Sequence, residues 1–271
     1  MSTGPTLHAG SFYGAVTERW QTPLVTASLV RHERPRQVPP HSHEHMFVSL
    51  LLEGGYREWV AGRRIDYAPL TVVFHPEKLE HRDEILTANT LFFTVEVHPR
   101  LLAARDRRRR ALSTVRDLTG GPAVWALLRL LDEMRRHRHD DLEGEEPVAE
   151  LLDTLLGEPG ETQRRPRWLD LVERSLVEGF REAVSLRALA EQAGVHPVHA
   201  SRVFRRENGC TMRTFLHRQR VLHACRAILD GRRGLAAVAT ESGFCDQSHM
   251  THVFRQVTGM TPTAYRRSVP H

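Results

Sequence analysis

Residues 239–267 read ATESGFCDQSHMTHVFRQVTGMTPTAYRR, and this stretch decides the fold of the C-terminal third. Gly243 and Gly259 punctuate it. Asp246 suits the N-cap of a helix whose apolar stripe is Met250, Val253 and Phe254. The outward residues of that helix are then Gln247, Ser248, His249, Thr251 and His252. The unit also has an earlier copy. Ala190, Gly194 and Val195 recur 49 residues later as Ala239, Gly243 and Phe244. The offset then becomes 50: Val203-Phe204-Arg205 matches Val253-Phe254-Arg255, Gly209 matches Gly259, Thr211 matches Thr261, and Phe215 matches Tyr265. The extra residue falls after the glycine, where a turn absorbs it.

In the first copy Ser185 is a good N-cap, and Leu186, Leu189, Ala190 and Ala193 form one apolar stripe. Ala190 is small enough for a second helix to cross close by. Gly194 suits a left-handed turn, and Pro197 suits a first helical turn. Ala200, Val203 and Phe204 face a core, while Val198, His199, Ser201, Arg202 and Arg205 stay outside. A short helix, a glycine turn and a second helix with a polar outer face describe a helix-turn-helix. Between the copies, Leu216–Leu229 lacks Pro and Gly and reads as a long connecting helix. One copy alone would be an ordinary helical hairpin. From Arg167 to His271, however, sixteen arginines stand against nine acidic residues, +7, whereas the residues before carry 22 basic against 24 acidic, −2. Two copies on a basic background point to double-stranded DNA.

With SLRALAEQAG, SRVFRRENGCT, QRVLHACRAIL and the quoted stretch, residues 169–267 resemble the AraC/XylS family of bacterial regulators. Ala200 and Met250 depart from larger or aromatic residues common there, and His196 replaces a usual serine cap, which implies a frayed helix start. The resemblance implies two recognition helices in successive major grooves, about 34 Å apart. It carries the base-facing role to Val198, Ser201 and Arg202 in the first helix, and to Gln247, Ser248, His249 and His252 in the second. Arg can clasp guanine, Gln adenine, and Ser or His can give single hydrogen bonds. His199, Arg205 and Thr251 complete the expected DNA-binding set, Arg205 at phosphate. A homodimer, through a helical contact over residues 122–156, and a contact with RNA polymerase are further expectations.

Upstream, Leu24–Val30, Phe47–Leu52, Thr71–Phe74 and Leu91–Val97 read as short strands, separated by turn clusters such as Pro39-Pro40 and Gly54-Gly55. They suggest a small β-barrel or sandwich. Trp125–Met134 and Val148–Leu156 have helical spacing, and residues 157–166 read as a linker. The expected fold is thus a two-domain α+β chain. A cupin-like β-barrel for ligand sensing occupies residues 1–100, a helical dimerisation and linker region 101–166, and an all-α DNA-binding domain of two helix-turn-helix units 167–271.

Residues 39–45 read PPHSHEH, placing His41, His43 and His45 at alternate positions on one face, with His81 after a later Pro-containing turn. This resembles the cupin barrel, a common sensor in AraC-type regulators, and implies an unknown small-molecule effector. A divalent metal on His41, His43 and His81 is one reading. The carboxylate that usually follows His-x-His is absent, since Phe47 and Val48 hold that place, and Glu44 should face away. His45 or His75 could substitute. The favoured reading is therefore a metal-free pocket with no cofactor.

A hydrophobic content of 40% with 26% charge fits a globular chain. No apolar run is long enough for a membrane span, and the first fourteen residues lack a signal-peptide pattern, so a cytoplasmic protein without membrane partners is expected. Three cysteines imply no disulfide framework, and Cys225 and Cys245 read as packing residues. The arginine runs at 107–110 and 135–139 read as solvated helix ends. The expected function is a sequence-specific, ligand-responsive transcription regulator rather than an enzyme. The alternatives are a cupin-type metal enzyme fused to a DNA-binding module, and a constitutive DNA-binding protein whose barrel only dimerises.

Overall fold

The computed structural model describes residues 4–99, 112–136, 145–156 and 166–268. The chain divides into two compact units, residues 1–158 and 159–268. The arginine run 107–110, the end of the run 135–139 and all of the expected linker but Pro166 lie outside the described residues.

The first unit contains β1 (Thr6–Leu7), β2 (Ala15–Gln21), β3 (Val25–His32), β4 (Arg36–His43), β5 (Phe47–Glu53), β6 (Tyr56–Val60), β7 (Arg63–Tyr67), β8 (Val72–His75), β9 (His81–Ile85), β10 (Thr90–Val97) and β11 (Arg116–Asp117). Two sheets form, with orders β1-β4-β9-β6-β7 and β11-β8-β5-β10-β3-β2. Val30, Leu51, Val73 and Phe92 of the second meet Val38, Tyr56, Tyr67 and Ile85 of the first. The unit is therefore a two-sheet sandwich. The expected barrel does not close, because no hydrogen-bonded ladder joins the edges of the two sheets among the described residues. Two edges are only two residues long, which blunts them against stray pairing. Pro39-Pro40, expected as a turn, lies inside β4. The register against β9 shifts there, between Val38 and His41, and such irregular sites tolerate a residue with no N–H to donate.

Two helices complete this unit: α1 (Pro122–Arg136) and α2 (Glu145–Leu156). Nine residues of α1, from Ala123 to Met134, are buried within the chain, so any dimer contact here must use its other face. Arg135 pairs with Glu18 of β2, Arg136 with Asp132, and Arg116 donates to the Leu155 carbonyl at 2.6 Å.

The second unit is helical: α3 (Arg167–Glu178), α4 (Leu186–Gln192), α5 (Pro197–Asn208), α6 (Met212–Leu229), α7 (Leu235–Glu241), α8 (Gln247–Thr258) and α9 (Pro262–Ser268). The connecting helix α6 starts four residues before the expected Leu216, because Thr211 caps it by accepting from Thr214 N at 3.1 Å. The repeat holds in three dimensions. Phe204 packs on Phe215 with ring centroids 5.5 Å apart, and Phe254 on Tyr265 at 5.6 Å. Ala200 and Met250, a further pair at the offset of 50, are both fully buried. Cys225 is buried, while Cys245 is exposed, so the expected packing role does not extend to Cys245.

Candidate functional site

Caps aim α5 and α8. Asp246 Oδ1 accepts from His249 N at 2.7 Å, and the His196 ring accepts from Val198 N at 3.4 Å. The start of α5 is thus capped rather than frayed, because imidazole Nδ1 can act as the acceptor that a serine oxygen would supply. Gly194 and Gly243 both hold a left-handed backbone between the two helices of each copy.

On α5, Val198, His199, Ser201, Arg202 and Arg205 are all exposed, while Ala200, Val203 and Phe204 are buried. On α8, Gln247, Ser248 and His252 are exposed, but His249 and Thr251 are only half so. Thr251 bonds the Gln247 carbonyl, and the His249 ring accepts from Cys245 N and stands edge-on to Phe244. Those two side chains are thus partly turned back into their own unit. Among the described residues no ion pair engages Arg202 or Arg205, so both guanidiniums are free to meet an anion.

A concavity lies between the sheets of the first unit. It has a volume of about 70 Å³, with Phe12, Phe47 and Phe92 among its apolar walls. His41 and His43 on β4 and His81 on β9 bring one ring nitrogen each to within 4.8 Å of the others. His75, at the end of β8, also lines it. His45 lies beyond the end of β4, half-buried, its ring 6.0 Å from that of His98, so the expected third face-sharing histidine is elsewhere.

Two carboxylates, neither expected from the sequence, complete this cluster. Asp83 lies two residues after His81 on β9, and its Oδ2 is 3.8 Å from His41 Nε2 and 3.9 Å from His81 Nε2. Glu58 on β6 is fully buried. It accepts from His75 Nε2 at 2.6 Å and from the Tyr67 hydroxyl at 2.7 Å. The His81-x-Asp83 alternation was the available signal for Asp83. Nothing local marked Glu58, which reaches the site only through the β6–β9 ladder.

Burial, then the neighbouring histidines, push His43 down to about 2. Burial and His75 push His81 down to about 4, and burial and His81 lower His41. All three imidazoles are therefore neutral near pH 7. Burial, with the charge of Glu58, raises Asp83 to about 7. For Glu58 burial acts upward, but the charge and hydrogen bond of His75 override it and hold the carboxyl at about 2. His75 is correspondingly raised, burial opposing and Glu58 prevailing.

The tautomers of two of these histidines follow from geometry. His41 Nδ1 meets the Pro39 carbonyl at 2.9 Å and His81 Nδ1 the Leu79 carbonyl at 3.2 Å. Both Nδ1 atoms must carry the proton, which leaves each Nε2 with a lone pair on the Asp83 side. Three neutral imidazoles are donors for Zn, Ni, Fe or Cu rather than for Mg or Ca, and Glu58, His81 and Asp83 form a second group whose ligand atoms lie within 4.8 Å of one another. A tetrahedral ion with bonds of about 2.1 Å sets its ligand atoms about 3.4 Å apart, a little closer than these.

A repeated helix–glycine turn–helix unit with two capped, exposed second helices defines a helix-turn-helix DNA-binding protein. Residues 189–268 match the family model described as a helix-turn-helix domain. The chain is 25% identical over 233 residues to the uncharacterized HTH-type transcriptional regulator YobQ of Bacillus subtilis, covering 84% of this chain and 90% of that one. It is 29% identical over 98 residues to the HTH-type transcriptional activator RhaR of Escherichia coli, covering 36% of this chain and 35% of RhaR. It spans 47% of the bifunctional transcriptional activator/DNA repair enzyme AdaA of Bacillus subtilis, at 25% identity. Similar solved structures include the DNA-binding domain of AdpA in complex with a target DNA (29% identity, 37% of this chain, 90% of that chain, TM-score 0.35) and ToxT of Vibrio cholerae (9%, 92%, 100% and 0.39). The C-terminal unit thus carries a helix-turn-helix domain similar to those of HTH-type transcription regulators, and a β-rich unit precedes it in the chain. No helix among the described residues is long and apolar enough to cross a membrane.

Proposed function

We propose that α5 and α8 enter successive major grooves of one duplex, and that the cavity of the β-rich unit binds the effector that modulates this. The exposed, unpaired Arg202 and Arg205 beside the capped start of α5 carry the reading. Arg202 and Gln247 read base edges, Ser201, Ser248 and His252 add single hydrogen bonds, and Arg205 meets phosphate. His249 and Thr251 support the start of α8 more than they reach the bases. The test is selection of duplexes from a random-sequence library by the full chain, with affinity measured against salt. Enrichment of one sequence and a steep fall of affinity with salt support the reading. Enrichment of no sequence overturns it.

A second reading, favoured by Asp83, makes the cavity a metal centre. His41, His43 and His81 would hold the ion, with the Asp83 carboxylate beside His41 and His81 as a further donor, and the effector would be the ion itself or a small molecule ligated to it. A cavity of about 70 Å³ suits such a small occupant and is far below the usual range for drug-sized ligands. Elemental analysis and calorimetric titration of the full chain with Zn or Ni test this, and no binding would overturn it.

A further inference from the structure

The two copies of the repeat differ in what surrounds their turn glycine. Gly194 and Gly243 both have positive φ, +69° and +79°. A Cβ on Gly194 would meet nothing within 4 Å, so only its backbone conformation calls for glycine. A Cβ on Gly243 would lie 2.8 Å from Arg181 Cα and from the Phe180 carbonyl oxygen, and 2.9 Å from the Arg181 carbonyl oxygen. The turn of the second copy therefore abuts backbone of the α3–α4 loop. That loop belongs to the first copy, since Phe180 and Val184 pack against its core of Leu176, Ala190 and Phe204.

Two side chains of α6 hold the loop there. Arg220 is 9% exposed, unusual for an arginine on a connecting helix. It donates from Nε to the Phe180 carbonyl at 2.7 Å and from Nη2 to the Glu182 carbonyl at 2.8 Å. One turn on, Arg181 Nη2 donates to His223 Nε2 at 3.0 Å, and His223 Nδ1 donates to Ser242 Oγ at 2.9 Å. Ser242 is fully buried and precedes Gly243 in the second turn. The imidazole therefore bridges the loop of one copy to the turn of the other. Burial and the charge of Arg181 hold it below its usual range, hence neutral, as a bridge with one donor and one acceptor requires.

We infer that Arg220 and His223 are positioning residues that lock the 180–182 loop beneath Gly243, fix α5 and α8 at one separation, and so make the protein selective for the spacing of the two DNA segments it reads. This rests on the DNA reading above. A long helix alone would join the copies but leave each free to rock about it; the loop contact removes that freedom.

The duplex selected by the full chain is rebuilt with one base pair inserted or deleted between the two contacted segments. Each step displaces one segment by about 3.4 Å and rotates it by about 35°. The wild type is expected to lose at least roughly tenfold in affinity per step. Arg220→Met and His223→Phe are expected to shrink that penalty to about threefold or less, with base preferences within each segment unchanged. His223→Gln, which can still accept from Arg181 and donate to Ser242, restores it. Arg220→Met orphans two carbonyls and can fail to fold, so the half-buried His223 decides the matter. A folded His223→Phe chain that keeps the full spacing penalty overturns the inference. Absence of any selected duplex overturns the DNA reading beneath it, which is a separate result.

Discussion

His41 and His81 are direct partners across the β4–β9 ladder, with ring centroids 4.3 Å apart. Each turns its Nδ1 to the backbone carbonyl two residues upstream, Pro39 and Leu79 respectively, so that both offer Nε2 to the same carboxylate. The match follows from register. Two strands paired at one histidine each place the preceding carbonyls equivalently, and the proton positions then follow without further help.

If that arrangement holds a metal, the full chain should bind one Zn or Ni per molecule. His43→Ala and Asp83→Asn should each weaken binding by about tenfold or more, measured by competition with a chromophoric chelator. Unchanged affinity in Asp83→Asn would remove Asp83 from the ligand set.

Asp83 should also cost the metal-free protein stability at alkaline pH. Its folded pKa is raised from 3.8 to about 7, so the buried group favours the protonated form. Below the unfolded pKa the cost is nil. It grows between pH 4 and 7 and is complete above pH 7. Asp83→Asn should therefore raise the melting temperature of chelator-treated protein at pH 8 by several degrees, with the gain fading toward pH 4. A gain independent of pH would contradict the assignment.

Arg202→Ala or Gln247→Ala should each cost about 1–3 kcal/mol on the selected duplex and relax preference at one or two base pairs. Arg205→Ala should instead weaken all duplexes alike and lower the salt slope by about one. Binding curves on selected and scrambled duplexes separate the two. An equal loss on both for Arg202→Ala would reassign that side chain to phosphate.

The two glycines of the repeat should respond unequally. Gly194→Ala should destabilise by about 1–2 kcal/mol, the cost of a left-handed residue with a side chain. Gly243→Ala adds a clash with backbone that cannot swing away, and should cost roughly 3 kcal/mol or more in urea unfolding. Equal costs would mean that the α3–α4 loop yields easily.

Much of the C-terminal unit was legible along the chain. The 49- and 50-residue offsets, the caps Ser185 and Asp246, and the alternation of core and surface on α5 are all local, because a helix repeats every 3.6 residues whatever surrounds it. His196 broke the expected cap pattern yet caps α5, since the required chemistry is an acceptor atom and not a residue type. The half-inward turn of His249 and Thr251 was not visible, because it depends on Phe244 and on backbone groups of the folded turn.

In the N-terminal unit four strands of one sheet, β3, β5, β8 and β10, and the pairing of His41 with His43 on one face came from the sequence, through the two-residue period of a strand. Only the tertiary structure decided that the sheets form a sandwich, that His45 lies outside the cavity, and that Asp83 and Glu58 lie inside it. Strand order and register are settled by burial of both sheets at once, between residues far apart in the chain. The same is true of the contact beneath Gly243: sequence alone marks a turn there, and only the folded backbone of residues 180–181 makes glycine the one residue that fits.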